Sequence, residues 1–241
     1  MNIVSFGGGA NSAALIIGMV QRNIPIDLIL FADIGAEHPH TYRFIETMGE
    51  WLAERELPEI TVVRNVDRNG DRLSLETECL RSNTLPSIAY GYKRCSQKHK
   101  IGPQNKFCNN HPACREVWAS GEKIYKYIGY DAGEERRRDN ARKYDEKDKK
   151  YSKVYALIDW GWSRDDCVRE IENAGLPQPG KSSCFFCPSM KKHEIEALKA
   201  QYPDLFQRAI DLETNALPYL TKIKGLGRNW AWSSMCGRDL V

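Results

Sequence analysis

No apolar run in this chain of 241 residues approaches the roughly 20 residues that a membrane-spanning helix requires. The first residues also lack the basic region, apolar core and cleavage site of a secretory signal. We therefore expect a cytoplasmic protein with a mature N-terminus and no membrane partner. The formal net charge of +3 is too small by itself to indicate a polyanionic partner. Eight cysteines in such a chain favour metal binding or redox chemistry over a disulfide framework.

Strand and helix patterns alternate along the chain. The near-continuous apolar run at 26–32 is typical of a strand buried in a parallel sheet, and apolar residues at helical spacing follow at 40–56. Ser163 is placed to cap a later helix, because two aspartates follow in its first turn. The predicted strands are 2–6, 26–32, 59–66 and 124–130, and the predicted helices are 12–21, 40–56, the helix after Ser163 and one or two helices within 191–220.

This alternation predicts an α/β fold in three layers, a parallel sheet with helices on both faces. We expect a nucleotide-binding α/β domain over residues 1–160 and a small, helical, cysteine-containing extension over 161–241. Four late tryptophans either pack in the interior or stack on nucleic-acid bases, and packing is the commoner role. They are Trp160, Trp162, Trp230 and Trp232.

The segment SFGGGANS at 5–12 joins the first predicted strand to the first predicted helix. Its three glycines leave backbone amides open to phosphate oxygens, and the helix N-terminus adds partial positive charge. Ser5, Asn11 and Ser12 add hydrogen-bond donors. The segment lacks the GK[ST] ending of a Walker A loop and the spacing of G-x-G-x-x-G. It predicts a phosphate site, with a tight turn that binds no ligand as the alternative.

The window 79–115 contains seven lysines or arginines and no acidic residue, in a chain with 32 acidic residues. Such a concentrated positive field would bind phosphate or sulfate groups and could steer a nucleic acid toward the protein. A solvated basic loop is the alternative interpretation. The window contains Arg94, Cys95, Lys98 and Lys100.

The segment GYDAGEERRR at 129–138 follows the fourth predicted strand. It places Arg136, Arg137 and Arg138 where the carboxyl ends of parallel strands bind ligands. The charged tract that continues to Lys150 mixes both signs, and we interpret it as a mobile solvated loop.

The segment SSCFFCP at 182–188 contains a C-x-x-C spacing, which provides half of a zinc or iron–sulfur site. A pair of reduced cysteines in the core is the alternative. A redox role is disfavoured, because the segment follows a loop rich in glycine and proline and does not open a helix after a strand. Cys108, His111 and Cys114 form a second possible zinc site, although their spacing is equally consistent with an exposed loop.

Together, these four segments resemble the phosphoadenosine phosphosulfate reductase branch of the N-type ATP pyrophosphatases, which have an adenine nucleotide alpha hydrolase-like fold. SFGGGANS is similar to the S-G-G-x-D-S pyrophosphate loop of that superfamily. The segments FADIGAEHPHTYRFI, KRCSQKHKIGP, IGYDAGEERRR, YALIDWGWSRDDC and SSCFFCP resemble its later segments in the same order, so the resemblance covers about residues 1–195.

The resemblance implies an adenine nucleotide, either ATP or adenylyl sulfate, with its phosphates on the first loop and its adenosine near the end of the second strand. It also implies Mg²⁺ to offset the phosphate charge and catalytic roles for Cys95, Arg94 and Lys98. The implied nucleotide-binding residues are Ser5, Gly7, Gly8, Gly9, Asn11, Ser12, Phe31, Asp33, Lys100, Gly129, Arg136, Arg137 and Arg138.

The chain departs from the family pattern in its loop and in its cysteines. Asn11 stands where the family loop has aspartate, so one negative charge near any Mg²⁺ is missing. The E-C-G-x-H segment of thioredoxin-dependent reductases is absent from the sequence. The iron–sulfur reductases carry two adjacent cysteines before their C-x-x-C, whereas Cys95 is followed here by Ser96.

Three thiolates would leave one iron of a [4Fe-4S] cluster open unless a further ligand completes the site. Such open clusters resemble those of sulfur-inserting enzymes, including tRNA thiolation enzymes, so we expect an iron–sulfur cluster in preference to zinc. The candidate metal ligands are Cys95, Cys184, Cys187 and Cys236.

The leading hypothesis is an ATP-dependent sulfur-transfer enzyme. It would adenylylate an oxygen of DNA or tRNA and replace that oxygen with sulfur from the cluster or a thiolate, with a cysteine desulfurase or another donor as the source of sulfur. The alternative enzyme is a reductase of adenylyl sulfate or a related sulfonucleotide, which needs no nucleic acid. A third possibility is a non-catalytic, nucleic-acid-binding module with structural zinc.

Overall fold

The structure, a computed structural model, describes residues 1–235. In this range no helix combines the length and apolar character needed to cross a membrane. The strands are β1 (Asn2–Phe6), β2 (Leu28–Asp33), β3 (Ile60–Arg64), β4 (Ile124–Ile128) and β5 (Tyr151–Val154). The helices are α1 (Ala10–Gln21), α2 (Pro39–Ala53), α3 (Leu75–Arg81), α4 (Arg94–Ser96), α5 (Gly102–Asn110), α6 (Pro112–Ala119), α7 (Glu135–Asp145), α8 (Ala156–Asp159), α9 (Arg164–Asn173), α10 (Lys192–Gln201) and α11 (Pro203–Ala216).

The five strands form one sheet in the order β3-β2-β1-β4-β5. The pairs β1–β2, β1–β4 and β4–β5 are parallel, and Val4 of β1 lies opposite both Ile29 and Tyr127. The direction of winding reverses at β1, since β2 and β3 lie to one side and β4 and β5 to the other. The carboxyl ends of β1 and β4 therefore border the crevice where doubly wound sheets bind ligands.

Helices cover both faces of this sheet. Val4, Phe6 and Ile29 pack on one face in a buried cluster with residues of α1, α2, α8 and α9. The intervening residues Ile3 and Leu30 pack on the other face with residues of α5 and α6. This alternation follows from the two-residue period of a strand. The predicted three-layer α/β architecture is confirmed.

Contacts divide the chain into two compact units. The first consists of residues 1–32, 39–63 and 104–182, and it contains most of the sheet with α1, α2 and α5 to α9. The second consists of residues 33–38, 64–103 and those from 183 onward. This division follows contacts and not chain order, so it differs from the single boundary predicted after residue 160.

The second unit is built on α3, α10 and α11. Its core contains apolar residues of all three helices together with the adjacent rings of Phe185 and Phe186, which meet edge to face with centroids 4.8 Å apart. Both rings are buried. The predicted region 191–220 forms two helices, and Cys184 and Cys187 precede them.

The interpretation of the charged tract up to Lys150 as a mobile loop is wrong. Residues 135–145 form α7, and β5 then pairs in parallel with β4. A capping box formed by Asp131 and Glu134 precedes the helix, and Arg142 pairs with Glu146 one turn later. None of the residues of α7 is buried, so the sequence has no apolar stripe that would have revealed the helix.

Candidate nucleotide and thiol sites

The loop between β1 and α1 and the first turn of α1, residues 7–12, together form what we call the phosphate loop. Gly9 is the N-cap of α1, and no side chain caps this helix. The hydroxyl of Ser12 accepts a hydrogen bond from the amide of Gly7 at 3.1 Å and donates to the carbonyl of Gly9 at 2.9 Å. The loop is therefore held in shape from within, while the N-terminus of α1 carries the partial positive charge that attracts anions.

Three glycines around this loop leave little room for a Cβ. Gly8 has φ of +69°, and a Cβ there would lie 2.8 Å from Cγ2 of Thr41. A Cβ at Gly9 would collide with the side chain of Ser182. At the end of β4, a Cβ on Gly129 would lie 3.0 Å from backbone atoms of Asn11 and Ser12. These glycines let the backbone at the ends of β1 and β4 approach closely, as a phosphate-binding crevice requires.

Asn11 is the centre of a polar network at the start of α1. Its side-chain amide donates to Oδ2 of Asp131 at 2.9 Å and to Oε2 of Glu134 at 3.2 Å. Its carbonyl oxygen accepts a hydrogen bond from Arg164 at 2.7 Å. The network ties the first turn of α1 to the turn that follows β4 and to the start of α9. An asparagine suits this position because it donates to carboxylates and accepts from a guanidinium at once.

The arginines predicted to bind phosphate lie on α7 and have partners on their own segment. Arg137 pairs with Glu134 and stacks over the ring of Tyr130 at 4.1 Å. Arg138 bonds to Asp139 at 3.0 Å. Arg136 is exposed. Their role in nucleotide binding stays a prediction.

Two further predicted nucleotide-binding residues of the first unit are engaged with protein groups. Ser5 donates its hydroxyl to Oε1 of the buried Gln104 at 2.9 Å. Phe31 is 2% exposed and packs against Phe6, with ring centroids 6.5 Å apart. Phe31 is thus a core residue of the sheet, and any contact with adenosine would involve its backbone.

In the second unit, Asp33 is buried and forms a polar centre. It accepts hydrogen bonds from Arg64 at 3.1 Å, from Arg72 at 2.8 Å and from the amide of Gly35 at 2.8 Å. Its carboxylate is already neutralised by two arginines, so a contact with a nucleotide hydroxyl would compete with them.

The basic segment after Arg94 is held by acidic partners from the same unit. Lys98 pairs with Glu78 at 2.8 Å, and Nε2 of the buried His99 lies 2.7 Å from the other oxygen of that carboxylate. Because the carboxylate only accepts, Nε2 carries the hydrogen. Burial lowers the pKa of His99, although Glu78 opposes the shift. Burial likewise opposes ionisation of Glu78, but the bonds from Lys98 and His99 outweigh it and lower its pKa.

Cys184 and Cys187 lie together beside an ion pair whose carboxylate is buried. The thiols are in hydrogen-bond contact, and that bond, together with burial, raises the pKa of Cys184 well above its ordinary value. Cys184 is buried, whereas Cys187 is half-buried. The backbones of Glu37 and Cys184 form an isolated antiparallel β-bridge. The carboxylate of Glu37 is fully buried and accepts a hydrogen bond from Nζ of Lys100 at 2.8 Å. Burial opposes the charge on Lys100, but Glu37 raises its pKa.

Lys100 therefore contacts a carboxylate of its own unit, and its predicted role at a nucleotide stays a prediction. The second oxygen of Glu37, Oε2, is buried without a hydrogen-bond partner in the described structure. The result is a dithiol next to a fixed cation and a carboxylate that is only partly satisfied.

The predicted metal ligands form no complete set. Among residues 1–235, no three side chains of His, Cys, Asp or Glu lie close enough together to hold a metal ion. Cys95 is half-buried and packs at the same apolar core as Cys187, and its backbone amide donates a hydrogen bond to Ser87 Oγ at 2.8 Å. Cys236 lies outside the described residues. Two thiols alone do not fit a four-iron cluster, so the three-cysteine model stays a prediction.

The second possible zinc site, at Cys108, His111 and Cys114, is not assembled either. Cys108 and Cys114 are completely buried on one face of the sheet. They are therefore core residues and do not lie in an exposed loop. Burial and the contact with Cys108 raise the pKa of Cys114 to about 12, so this thiol is inert near neutral pH.

The late tryptophans are packing residues. Trp160 and Trp162 pack against Gly18 of α1, and the guanidinium of Arg22 lies over both rings at 4.2 and 4.9 Å. Trp232 is 1% exposed in the core of the second unit. Interior packing, the commoner of the two roles considered from the sequence, therefore describes them.

Sequence reasoning missed several polar residues around these sites. Asp131 and Glu134 lie in the arginine segment, and their D-x-x-E spacing is the signature of a helix cap that could have identified them. Glu37 follows a strand end, which is also a recognisable signal. Arg164 is separated from Asn11 by 153 residues, so no local pattern points to their contact.

A sequence model of the phosphoadenosine phosphosulfate reductase domain matches residues 1–166 of the chain. No curated protein sequence matches it. Among solved structures, the U34-tRNA thiolase NcsA from Methanococcus maripaludis, with its [4Fe-4S] cluster, aligns with a TM-score of 0.43 and 15% sequence identity. That alignment covers 93% of this chain and 75% of the other. A likeness at this level carries no inference.

Proposed function

Because the chain belongs to the phosphoadenosine phosphosulfate reductase domain family, we propose that it binds an adenine nucleotide on the phosphate loop. We further propose that it uses ATP to activate an oxygen of a nucleic acid, which sulfur then replaces. One observation carries this proposal: the N-terminus of α1, which no side chain caps, follows β1 at the reversal point of the sheet. Backbone amides at such a point bind phosphate without regard to the rest of the ligand.

In the proposed reaction, the acceptor oxygen attacks the α-phosphorus of ATP, and pyrophosphate leaves. The amides of the phosphate loop stabilise the negative charge that develops on the leaving group. The acceptor then carries an adenylylated oxygen, which departs as AMP when a sulfur nucleophile attacks the neighbouring carbon. Arg94 and Lys98 are proposed to contribute charge toward the polyanionic acceptor.

The dithiol suits the second half of this chemistry. A persulfide on Cys187, supplied by a cysteine desulfurase or another donor, would attack the activated carbon and release AMP. The Cys184 thiol would then attack the Cys187 sulfur, which frees the thiolated acceptor and leaves a Cys184–Cys187 disulfide. A dithiol reductant would restore both thiols. Cys187 is half-buried, which supports its proposed role as the acceptor of external sulfur, and the buried Cys184 is proposed to resolve the intermediate.

The test uses protein purified anaerobically, with ATP and unmodified tRNA or DNA as substrates. We expect ATP-dependent release of AMP and pyrophosphate with incorporation of sulfur into the nucleic acid. Cys187→Ser and Cys184→Ser should abolish sulfur incorporation while ATP binding, measured by calorimetry, is unchanged. Cys79→Ser and Cys167→Ser are the matched controls, because both are buried thiols outside the pair. Equal loss in the controls would contradict the assignment.

A second candidate function is the reduction of a sulfonucleotide, and Asn11 favours it. The loop lacks the carboxylate of the family pattern, and a reductase transfers no pyrophosphate. Here the Cys187 thiolate would attack the sulfur of adenylyl sulfate and release AMP, and Cys184 would then release sulfite and form the disulfide. Sulfite formed from adenylyl sulfate, without any use of ATP, would favour this function over the first.

Metal analysis separates both enzymes from a binding module. Iron and sulfide in the purified protein would support a cluster completed by Cys95 or by a residue outside the described range. They would also contradict the dithiol steps, because Cys184 and Cys187 would then be cluster ligands. Stoichiometric zinc without turnover of either nucleotide would favour a non-catalytic module.

A further inference from the structure

The last described part of the second unit contains an exposed cationic loop. Between Thr214 and Met235 the sequence has three basic residues and no acidic residue. Lys222, Lys224 and Arg228 are all exposed, and none of them forms an ion pair within the part of the chain that the structure describes. We call residues 219–230 the C-terminal basic loop. Its charge is not used by the proposed chemistry of either thiol.

A buried carboxylate gives this loop its shape. Glu213 of α11 is 0% exposed, and its oxygens accept hydrogen bonds from the amides of Leu226 at 2.7 Å, Trp232 at 2.9 Å and Ser233 at 2.9 Å. A buried carboxylate is stable only when it is satisfied in this way. The loop is therefore folded around Glu213, unlike a solvated charged tail.

The backbone of the loop is constrained as well. Arg228 has φ of +66°, a left-handed conformation that is unusual for a residue with a Cβ. Its amide donates to the carbonyl of Gly225 at 2.9 Å, and its carbonyl accepts from Lys224 at 2.6 Å. A Cβ at Gly225 would collide with Glu213, and one at Gly227 would collide with the ring of Trp230. Strain of this kind persists where the surrounding structure over-determines it, and it is common at binding surfaces.

An aromatic ring accompanies these cations. Tyr219 is 64% exposed at the start of the loop. Unpaired cations in the same short loop as an exposed ring match a ligand that offers both phosphates and flat bases, as single-stranded nucleic acid does. An anionic membrane would match the charge. Among residues 219–230, however, Tyr219 is the only large hydrophobic residue that the described structure leaves exposed, which is too little for insertion.

We propose that the C-terminal basic loop is a docking surface for single-stranded nucleic acid. The inference rests on the proposed function, and it adds to that function a surface that binds the nucleic-acid acceptor. Lys222, Lys224 and Arg228 neutralise backbone phosphates, and Tyr219 stacks on a base. Glu213 acts as a positioning residue that holds the loop in its binding shape.

The test measures binding of a labelled single-stranded oligouridylate to the full chain by fluorescence anisotropy over a series of salt concentrations. The double variant Lys222→Ala/Lys224→Ala removes two exposed cations from the loop. The control, Lys147→Ala/Lys149→Ala, removes two exposed cations of the same spacing from another part of the chain. We expect the loop variant to weaken binding at least about 10-fold and to reduce the slope of log K against log salt by about 1.4, since each phosphate contact contributes about 0.7. The control should change neither quantity.

Single variants test the remaining parts of the surface. Tyr219→Ala should weaken binding about 5-fold or more with an unchanged salt slope, because stacking is not ionic. Arg228→Gln keeps a long side chain and should reduce both affinity and slope. Equal losses in the loop variant and its control would overturn the inference. So would a loss confined to Lys93→Ala/Arg94→Ala, or binding to vesicles containing phosphatidylserine but not to the oligonucleotide.

The same measurements distinguish the inference from the function on which it rests. If the wild-type protein binds the oligonucleotide and the loop variant binds it equally well, the docking surface is wrong and the sulfur-transfer proposal stands. If the wild-type protein binds no nucleic acid, the acceptor in the proposed function is wrong, and the docking surface is wrong with it.

Discussion

The side-chain amide of Asn11 donates a hydrogen bond to Oδ2 of Asp131 at 2.9 Å, at the loop position where the family pattern has a carboxylate. A carboxylate there could not donate to Asp131 or Glu134 and would repel both. Asn11 therefore changes the loop from a position that attracts a cation into one that joins α1 to the turn after β4. The loop thus lacks the negative charge of the family pattern, and Asp131 and Glu134, on the segment after β4, accept hydrogen bonds from the asparagine that replaces it.

The substitution Asn11→Asp should destabilise the protein in the absence of Mg²⁺. It removes two hydrogen bonds to charged acceptors and adds like-charge repulsion, only partly offset by Arg164, so we expect a loss of about 2 kcal/mol in the free energy of unfolding. Added Mg²⁺ should restore part of this loss, because three neighbouring carboxylates suit a divalent cation. Urea denaturation with and without Mg²⁺ measures both effects. The control is Asn140→Asp, an exposed position with the same charge change.

The substitution Gly8→Ala should abolish nucleotide binding. The left-handed backbone costs a non-glycine residue about 1 kcal/mol, and the new methyl group would lie 2.8 Å from Thr41. Gly121→Ala is a matched control, because Gly121 has φ of +82° and open space around its Cβ position. Both variants should lose a similar backbone contribution to stability, but only Gly8→Ala should lose heat of ATP binding in calorimetry. Unchanged affinity in a folded Gly8→Ala protein would refute the phosphate assignment.

The substitution Lys100→Met should strongly destabilise the second unit. It would leave the buried carboxylate of Glu37 without its cation. Because the Lys100 side chain is 35% exposed, we expect a loss of about 2 kcal/mol, below the roughly 3 kcal/mol of a fully buried pair. The double variant Glu37→Gln/Lys100→Met should recover most of that loss, since no uncompensated charge remains. Chemical denaturation of the four proteins of this double-mutant cycle gives the coupling free energy. Additive losses would show that the two side chains do not depend on each other.

His99 should make the protein less stable as the pH falls from about 7.5 to 5.5. Its pKa is lowered in the folded state by burial, so the unfolded chain takes up the proton first. The contribution of His99 to the free energy of unfolding is therefore fully present above about pH 6.5, the pKa of histidine in the unfolded chain, and it is lost as the pH falls below that value. His99→Gln keeps a donor for Glu78 and should flatten the pH dependence in this range. The contribution of Glu78, whose pKa is lowered, is lost only at more acidic pH.

Local patterns in the sequence predicted the sheet and the phosphate loop. The buried strands β1, β2 and β4 have near-continuous apolar sequences, and the helix after Ser163 has its capping box where the spacing placed it. By contrast, none of the residues of α7 is buried, and β5 is only four residues long. Neither element has a period or an apolar run that a local pattern could detect.

The sequence by itself determined the α/β fold and the glycine loop, because strand burial, helix caps and left-handed glycine are properties of a few neighbouring residues. It also identified Cys184 and Cys187 as a pair. Only the tertiary structure decided that Asn11 binds Asp131 and Arg164, that Glu37 lies against Lys100, and that Glu213 shapes the basic loop. These contacts join segments far apart in the chain or depend on how a loop folds back. Their energies arise from charged and polar groups that the fold brings together, which no local period encodes.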